Sequence, residues 1–185
     1  MLILASESPR RRELLGRIID DFEVRSANIE EISDGADPFY VPEINAKLKA
    51  QAVANDNPDT IVIGADTAII FENKVIGKPK DSTDAEKILA SFSGKTHSVV
   101  TGVAIIRTGS QNIDISFSEE SLVSFKNISA DDIKKYISQV SVLDKAGAYA
   151  IQEHSDLIIK SYTGSLENII GLPLEKLQSH LSKFF

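Results

Sequence analysis

The chain has 185 residues, 42% of them hydrophobic and 25% charged, which is material for the core of one domain or of one domain in two lobes. A formal net charge of −7 argues against a long nucleic acid as partner, although a local basic cluster can still bind a small phosphorylated ligand. The absence of cysteine excludes disulfides, thiolate zinc sites and a cysteine nucleophile, and His97, His154 and His180 lack metal-binding spacing, so any metal would be hard and oxygen-ligated.

The first element is "LILA" (2–5), a short apolar strand; "MLILA" is too short for a secretory signal, and a cytoplasmic protein is expected. A helix follows, with Ser8 as N-cap and Pro9 at the first helical position. Its next residues are Arg10, Arg11 and Arg12, three cations at the end of a helix that favours anions. "FEVRS" (22–26) reads as a strand, "ANIEEISDGADP" as a polar loop, and residues 42–55 as a helix with Ala46, Lys49, Ala50 and Val53 at helical spacing. "TIVIGAD" (60–66) is a nearly continuous apolar run, the mark of a buried strand, followed by a hairpin "TAIIF-ENK-VIGKP" with Glu72, Asn73 and Lys74 in its turn.

Ser82 or Thr83 is placed to cap the helix "DAEKILASF", whose Ala85, Ile88, Leu89 and Phe92 form one apolar face. "THSVVTGVAIIR" and "IDISFSEESLVSF" are two strands joined by "TGSQN" in a long hairpin. "SADDIKKYISQV" is a helix capped by Ser129, with Asp131 and Asp132 read as structural because acids suit its first turn. "DLIIKSY" is a strand and "LPLEKLQSHLSKFF" the closing helix. The expected fold is α/β with a mixed central sheet and flanking helices, in two lobes. No apolar run approaches the about 18 residues of a membrane span.

Several residues are candidates for chemistry. The arginines admit two readings: a polyphosphate site made with backbone N–H groups, or solvated side chains with local pairing such as Glu13 to Arg17. Asp66 and Thr67 fall at the carboxyl end of the buried strand, where ligands bind in open α/β sheets; an aspartate there holds a divalent metal, orients water, or merely caps a turn. Lys49 and Lys78 are candidate cations, as against ordinary surface lysines. "DKAGAYAIQE" (144–153) and "GSLENIIGLP" (164–173) are turns that let backbone approach a ligand, or plain helix starts. Neither GxxxxGK[ST] nor GxGxxG is present, which excludes P-loop and Rossmann nucleotide sites.

Taken in order, "LASESPRR", "KLKAQAVA", "IVIGADT", "IGKPKD", "FSGKTHSVVTGVA", "DKAGAYAIQ" and "NIIGLPL" resemble the Maf family of nucleoside triphosphate pyrophosphatases, from residue 2 to about residue 174. The resemblance implies a single domain over residues 1–185, similar in fold to inosine triphosphate pyrophosphatases, with a cleft between two lobes. It makes Asp66 the catalytic carboxylate. It gives Ser8, Arg10 and Arg11 to a phosphate-binding turn, Lys49 and Lys78 to a cationic pocket, and Glu31 with Asp66 to a divalent magnesium or manganese ion. Arg12 matches no invariant part of the motif. Arg10, Thr67 and Gln152 stand where the subgroup preferring dTTP and UTP has its specificity residues, and Gln152 offers both a donor and an acceptor to a pyrimidine imide edge. A homodimer is also implied. Ala150 and Glu153 replace glycines usual in the family, and Val142 and Leu143 replace its glutamate-proline pair, which bears on base preference. Two alternatives remain: a non-catalytic nucleotide-binding regulator of cell division, which retention of Asp66, Lys78 and Glu31 disfavours, and a purine-directed inosine triphosphatase-like enzyme, which Gln152 disfavours.

Overall fold

The apolar runs of the sequence lie side by side as β1 (Leu2–Ala5), β3 (Ile61–Phe71) and β5 (Thr96–Arg107), and their side chains divide by the period of two that a strand imposes. Leu2, Leu4, Ile61, Ile63, Ala65, Val103 and Ile105 pack on one face, against Leu14 and Leu15 of α1 (Pro9–Leu15) and Leu177 and Leu181 of α6 (Leu174–Leu181). Ile3, Ala5, Val62, Ala104 and Ile106 pack on the other, against Ala46, Ala50, Val53 and Ala54 of α2 (Val41–Asn55). Covering both faces explains why these strands read as continuous apolar runs.

The computed structural model describes residues 1–33 and 36–184; Asp34 and Gly35 of the predicted polar loop, and Phe185 of the predicted closing helix, lie outside the described residues. The remaining elements are β2 (Glu23–Val24), β4 (Lys74–Ile76), α3 (Ser82–Phe92), β6 (Ile113–Phe125), α4 (Ala130–Gln139), β7 (Ile159–Thr163) and α5 (Leu166–Ile170). The strand order is β2-β1-β3-β5-β6-β7, with β4 on β3. β1 is parallel to β2 and β3, while β3–β4 and β6–β7 are antiparallel, so the sheet is mixed as expected. Among the described residues no helix is long and apolar enough to cross a membrane.

Two compact units are formed. The first comprises Met1–Thr67, Val100–Glu119 and the chain from Glu167 onward; the second comprises Ala68–Val99 and Glu120–Leu166. In the first, α2 packs directly on strand backbone because two glycines leave room. A Cβ on Gly64 would collide with the Ala46 carbonyl oxygen, and one on Gly102 with the backbone of Pro42 and Glu43. In the second, Phe71, Phe92, His97, Phe125 and Tyr149 form an aromatic cluster with ring centroids 4.4 to 5.5 Å apart for His97 and its neighbours.

Several boundaries differ from the sequence reading. β3 runs unbroken through Asp66 and Thr67, because their side chains bond to Lys49 of α2 and Arg11 of α1 instead of turning the chain. The hairpin turn is two residues, Glu72 and Asn73, both with positive φ; Lys74 already pairs with Phe71 as the first residue of β4. Asp81, rather than Ser82 or Thr83, caps α3, accepting from Asp84 N at 2.8 Å. β2 shrinks to two exposed residues, β7 begins at Ile159 after a 3-10 turn, and the last helix stops at Leu181 with Ser182 as its C-cap. The Ser8 cap and the Ser129 cap, the latter closed by Asp132 as a capping box, form as read.

Candidate active site

Asp66 lies midway along β3, between buried residues on both sides, with its side chain 14% exposed. The close seating of α2 brings two residues one turn apart, Asn45 and Lys49, onto its carboxylate. Lys49 Nζ lies 2.8 Å from Asp66 Oδ1, and Asn45 Nδ2 donates to Oδ2 at 3.1 Å. Lys49 Nζ also lies 2.6 Å from Glu31 Oε1, so one ammonium joins the two acids assigned to metal. Asn45 fixes the loop that carries Glu31, accepting from Ile32 N at 2.9 Å and donating to Ile32 O at 3.0 Å. Asn45 is 2% exposed, and its one local signal in the sequence is a position four residues before Lys49 on the same helical face.

The three arginines of α1 separate. Arg12 is exposed, and the local pair goes to Arg17 and Glu13 at 2.9 Å, both exposed. Arg11 turns inward: Nε donates to Gly171 O at 2.9 Å, Nη1 to Ser6 Oγ at 3.3 Å and Nη2 to Thr67 Oγ1 at 2.9 Å. Burial lowers its pKa, an effect that Asp66 opposes and Arg10 reinforces. Arg10 is half-buried. Ser8 accepts from Arg11 N at 3.4 Å, so Ser8 and Ser6 shape the turn from which both arginines project.

Asp66, Glu31, Lys49, Ser8, Arg10, Arg11 and Thr67 all belong to the first unit. Lys78 and Gln152 belong to the second and are exposed. There the turn after Asp144 is built on Lys145, whose side chain is 6% exposed and pairs with Asp144 at 3.1 Å and Glu153 at 3.5 Å. The unusual acid beside Gln152 is therefore charge-compensated. Asp131 and Asp132 serve α4, as read.

Two carboxylates fit a hard divalent cation, which takes oxygen ligands and leaves several positions to water and phosphate oxygens. Among the described residues no group of three or more His, Asp or Glu side chains gathers as an all-protein cage would need. The donor set suits a magnesium or manganese ion brought with a polyphosphate, with Lys49 holding the two acids in place.

Over residues 1–184 the chain matches the family described as "Maf-like protein". It is 45% identical to a dTTP/UTP pyrophosphatase of Clostridium novyi (strain NT), over 95% of this chain and 93% of that protein. It is 42% identical to a dTTP/UTP pyrophosphatase of Thermoanaerobacter sp. (strain X514), over 100% and 96%. Among solved structures it is similar to the Staphylococcus aureus Ham1 protein, with TM-score 0.53, 17% identity and 98% of both chains covered. It is also similar to a nucleoside-triphosphatase / dITP/XTP pyrophosphatase from Mycobacterium abscessus, with TM-score 0.51, 15% identity and 98% and 93% covered. At those identities the likeness to the solved structures concerns the fold, and it agrees with the α/β fold expected.

Proposed function

The chain belongs to the Maf-like family, and on that premise we propose that it hydrolyses dTTP and UTP to the nucleoside monophosphate and pyrophosphate at a site built around Asp66. It is a nucleoside triphosphate diphosphatase, a hydrolase of acid anhydrides: relatives at 40 to 45% identity over nearly their whole length carry that activity in their names. The observation that carries the reading is the carboxylate of Asp66, midway along a buried strand, held by Lys49 and Asn45 and flanked by Arg11.

Each oxygen of Asp66 is engaged by one donor and keeps lone-pair capacity for a water molecule. In this reading Asp66 orients that water and takes its proton as the water oxygen attacks the α-phosphorus. The bond from the α-phosphorus to the bridging oxygen breaks, and pyrophosphate departs with the bonding electrons. Arg10, Arg11, Lys49 and Lys78 supply positive charge to the phosphates, a contribution that grows as charge develops on the leaving group. A divalent ion held by Asp66 and Glu31 supplies Lewis-acid polarisation of phosphate oxygens. Gln152 reads the base, and the whole chain acts as one catalytic domain, as a cytoplasmic homodimer.

The test is a screen of purified protein against canonical and modified nucleoside triphosphates with magnesium or manganese, scoring monophosphate and pyrophosphate. Turnover of dTTP and UTP with pyrophosphate as product is expected. No turnover of any triphosphate, or release of orthophosphate, defeats the reading. Size-exclusion chromatography with light scattering checks the dimer.

A further inference from the structure

Asn45 touches both elements that carry the acids assigned to metal, the strand of Asp66 and the loop of Glu31. It is 2% exposed, and an amide so buried costs stability unless its polar atoms are paired. Its side-chain oxygen accepts from Ile32 N at 2.9 Å, while Nδ2 donates to Ile32 O at 3.0 Å and to Asp66 Oδ2 at 3.1 Å. An amide nitrogen has two protons, so both are spent on these two oxygens. Flipping the amide would set its oxygen against two oxygens and its N–H groups against another N–H, so only one orientation makes the three bonds.

The described residues around Glu31 belong to no helix or strand. For Ile32 the Asn45 amide supplies the paired N–H and C=O contacts that a neighbouring strand would otherwise supply. Ile32 adjoins Glu31, so the tie fixes the backbone from which the exposed Glu31 carboxylate projects. The third bond leads from the same amide to Asp66, whose other oxygen accepts from Lys49 Nζ at 2.8 Å. Asn45 and Lys49 stand one turn apart on α2, so a single helical segment grips both oxygens and sets the rotation of the carboxylate. Magnesium takes its oxygen ligands at about 2.1 Å in a strict geometry, so two acids on separate elements serve it best when their spacing is held beforehand.

We propose that Asn45 is a positioning residue for the divalent ion: through one amide it holds the Glu31 loop and the Asp66 carboxylate at a spacing that fits the metal. Asn45 does not touch the ion and acts through the two acids. The proposal rests on the assignment of Glu31 and Asp66 to a metal in the reading above, and it adds the group that keeps them in register.

The experiment measures manganese binding by electron paramagnetic resonance, with saturating α,β-methylene-UTP, which cannot be cleaved between its α- and β-phosphorus. Full-length wild type is compared with Asn45→Leu and Asn45→Ala. Leucine has the branching of asparagine without its polar atoms, and alanine is too small to clash. The manganese dissociation constant is expected to rise at least about tenfold in both variants. Binding of the analogue alone, followed by calorimetry in EDTA, is expected to stay nearly unchanged, because Arg10 and Arg11 remain in place. Wild-type manganese affinity in the folded variants overturns the proposal. So does an equal loss of metal-free analogue binding, which would mean general damage to the site. If circular dichroism shows Asn45→Leu unfolded, Asn45→Ala decides by the same measurements; if both are unfolded, Asn45 serves folding and the proposal falls. Wild-type protein that binds the analogue but no manganese removes the metal from the reading above, and this proposal with it.

Discussion

In the first unit the polar groups of the candidate site, four of them charged, are cross-linked, with Asp66, Lys49, Glu31, Asn45, Arg11 and Thr67 each bonded to another member or to backbone. In the second, His97 and Tyr149 meet each other at 2.8 Å inside rings of phenylalanine, and burial pushes both toward their neutral forms. His97 is lowered to about 4, and the Tyr149 phenol is raised above its ordinary range. The contrast has a physical origin. A carboxylate on a strand and an ammonium on the helix packed over it compensate each other and stay partly open to solvent, whereas a lone imidazole in an aromatic core loses its hydration and has no anion to replace it. Charge is concentrated where chemistry is proposed and excluded where only packing is needed. Within the second unit Lys145, buried between Asp144 and Glu153, follows the first pattern.

Four measurements would break or sharpen this contrast. The largest effect is expected from Asp66→Asn, which keeps shape but removes the charge that Lys49 faces: kcat/KM should fall about 10³-fold, or about 4 kcal/mol of barrier, with the circular dichroism spectrum unchanged. Activity within tenfold of wild type would take Asp66 out of the reaction.

Next comes pH. The folded pKa of His97 is about 4 and the ordinary value 6.5, so the unfolded chain binds this proton more tightly. The contribution to stability is complete above pH 6.5 and is lost as pH falls toward 4, about 3 kcal/mol in all. Urea midpoints for wild type and His97→Phe at several pH values should diverge across that window, since the carboxylates common to both cancel. Parallel curves would contradict a neutral, desolvated His97.

Arginine placement gives the third test. Arg11→Ala strips partners from Gly171 O, Ser6 and Thr67 and should cost about 2 kcal/mol of folding stability besides weakening triphosphate binding. Arg10→Ala should weaken binding while leaving stability within about 0.5 kcal/mol. Equal stability losses in the two variants would erase the distinction between a structural and a ligand-facing arginine. The smallest effect is reserved for the exposed Glu13–Arg17 pair, where Glu13→Gln should change stability by no more than about 0.5 kcal/mol and leave activity alone.

What could be read from the chain was local or periodic. Ser8 before Pro9 and Ser129 three residues before Asp132 mark helix starts because the bonds they make reach only three residues onward. The alternation through Leu2–Ala5 and Ile61–Ala65 names a doubly covered strand because each face of a sheet must meet its own helix layer. Even locally there were limits. Asp81, Ser82 and Thr83 are all competent caps, and the choice of Asp81 came with the seating of Ala85, Leu89 and Phe92 in the core. Motif resemblance could name Asp66, Lys49, Glu31 and Arg11, but not how they are held.

The sequence by itself therefore determined the elements, the two-faced core and the chemical types available for a site: carboxylates, cations and hydroxyls without cysteine or a histidine cluster. Only the tertiary structure decided that Asn45 clamps Asp66, that Arg11 turns inward while Arg12 does not, and that Thr67 and Thr101, 34 residues apart, are hydrogen-bonded to each other. The reason is that a polar side chain acquires its role from the partner it meets. Such partners lie many residues away in the chain and are brought within hydrogen-bond distance by packing alone.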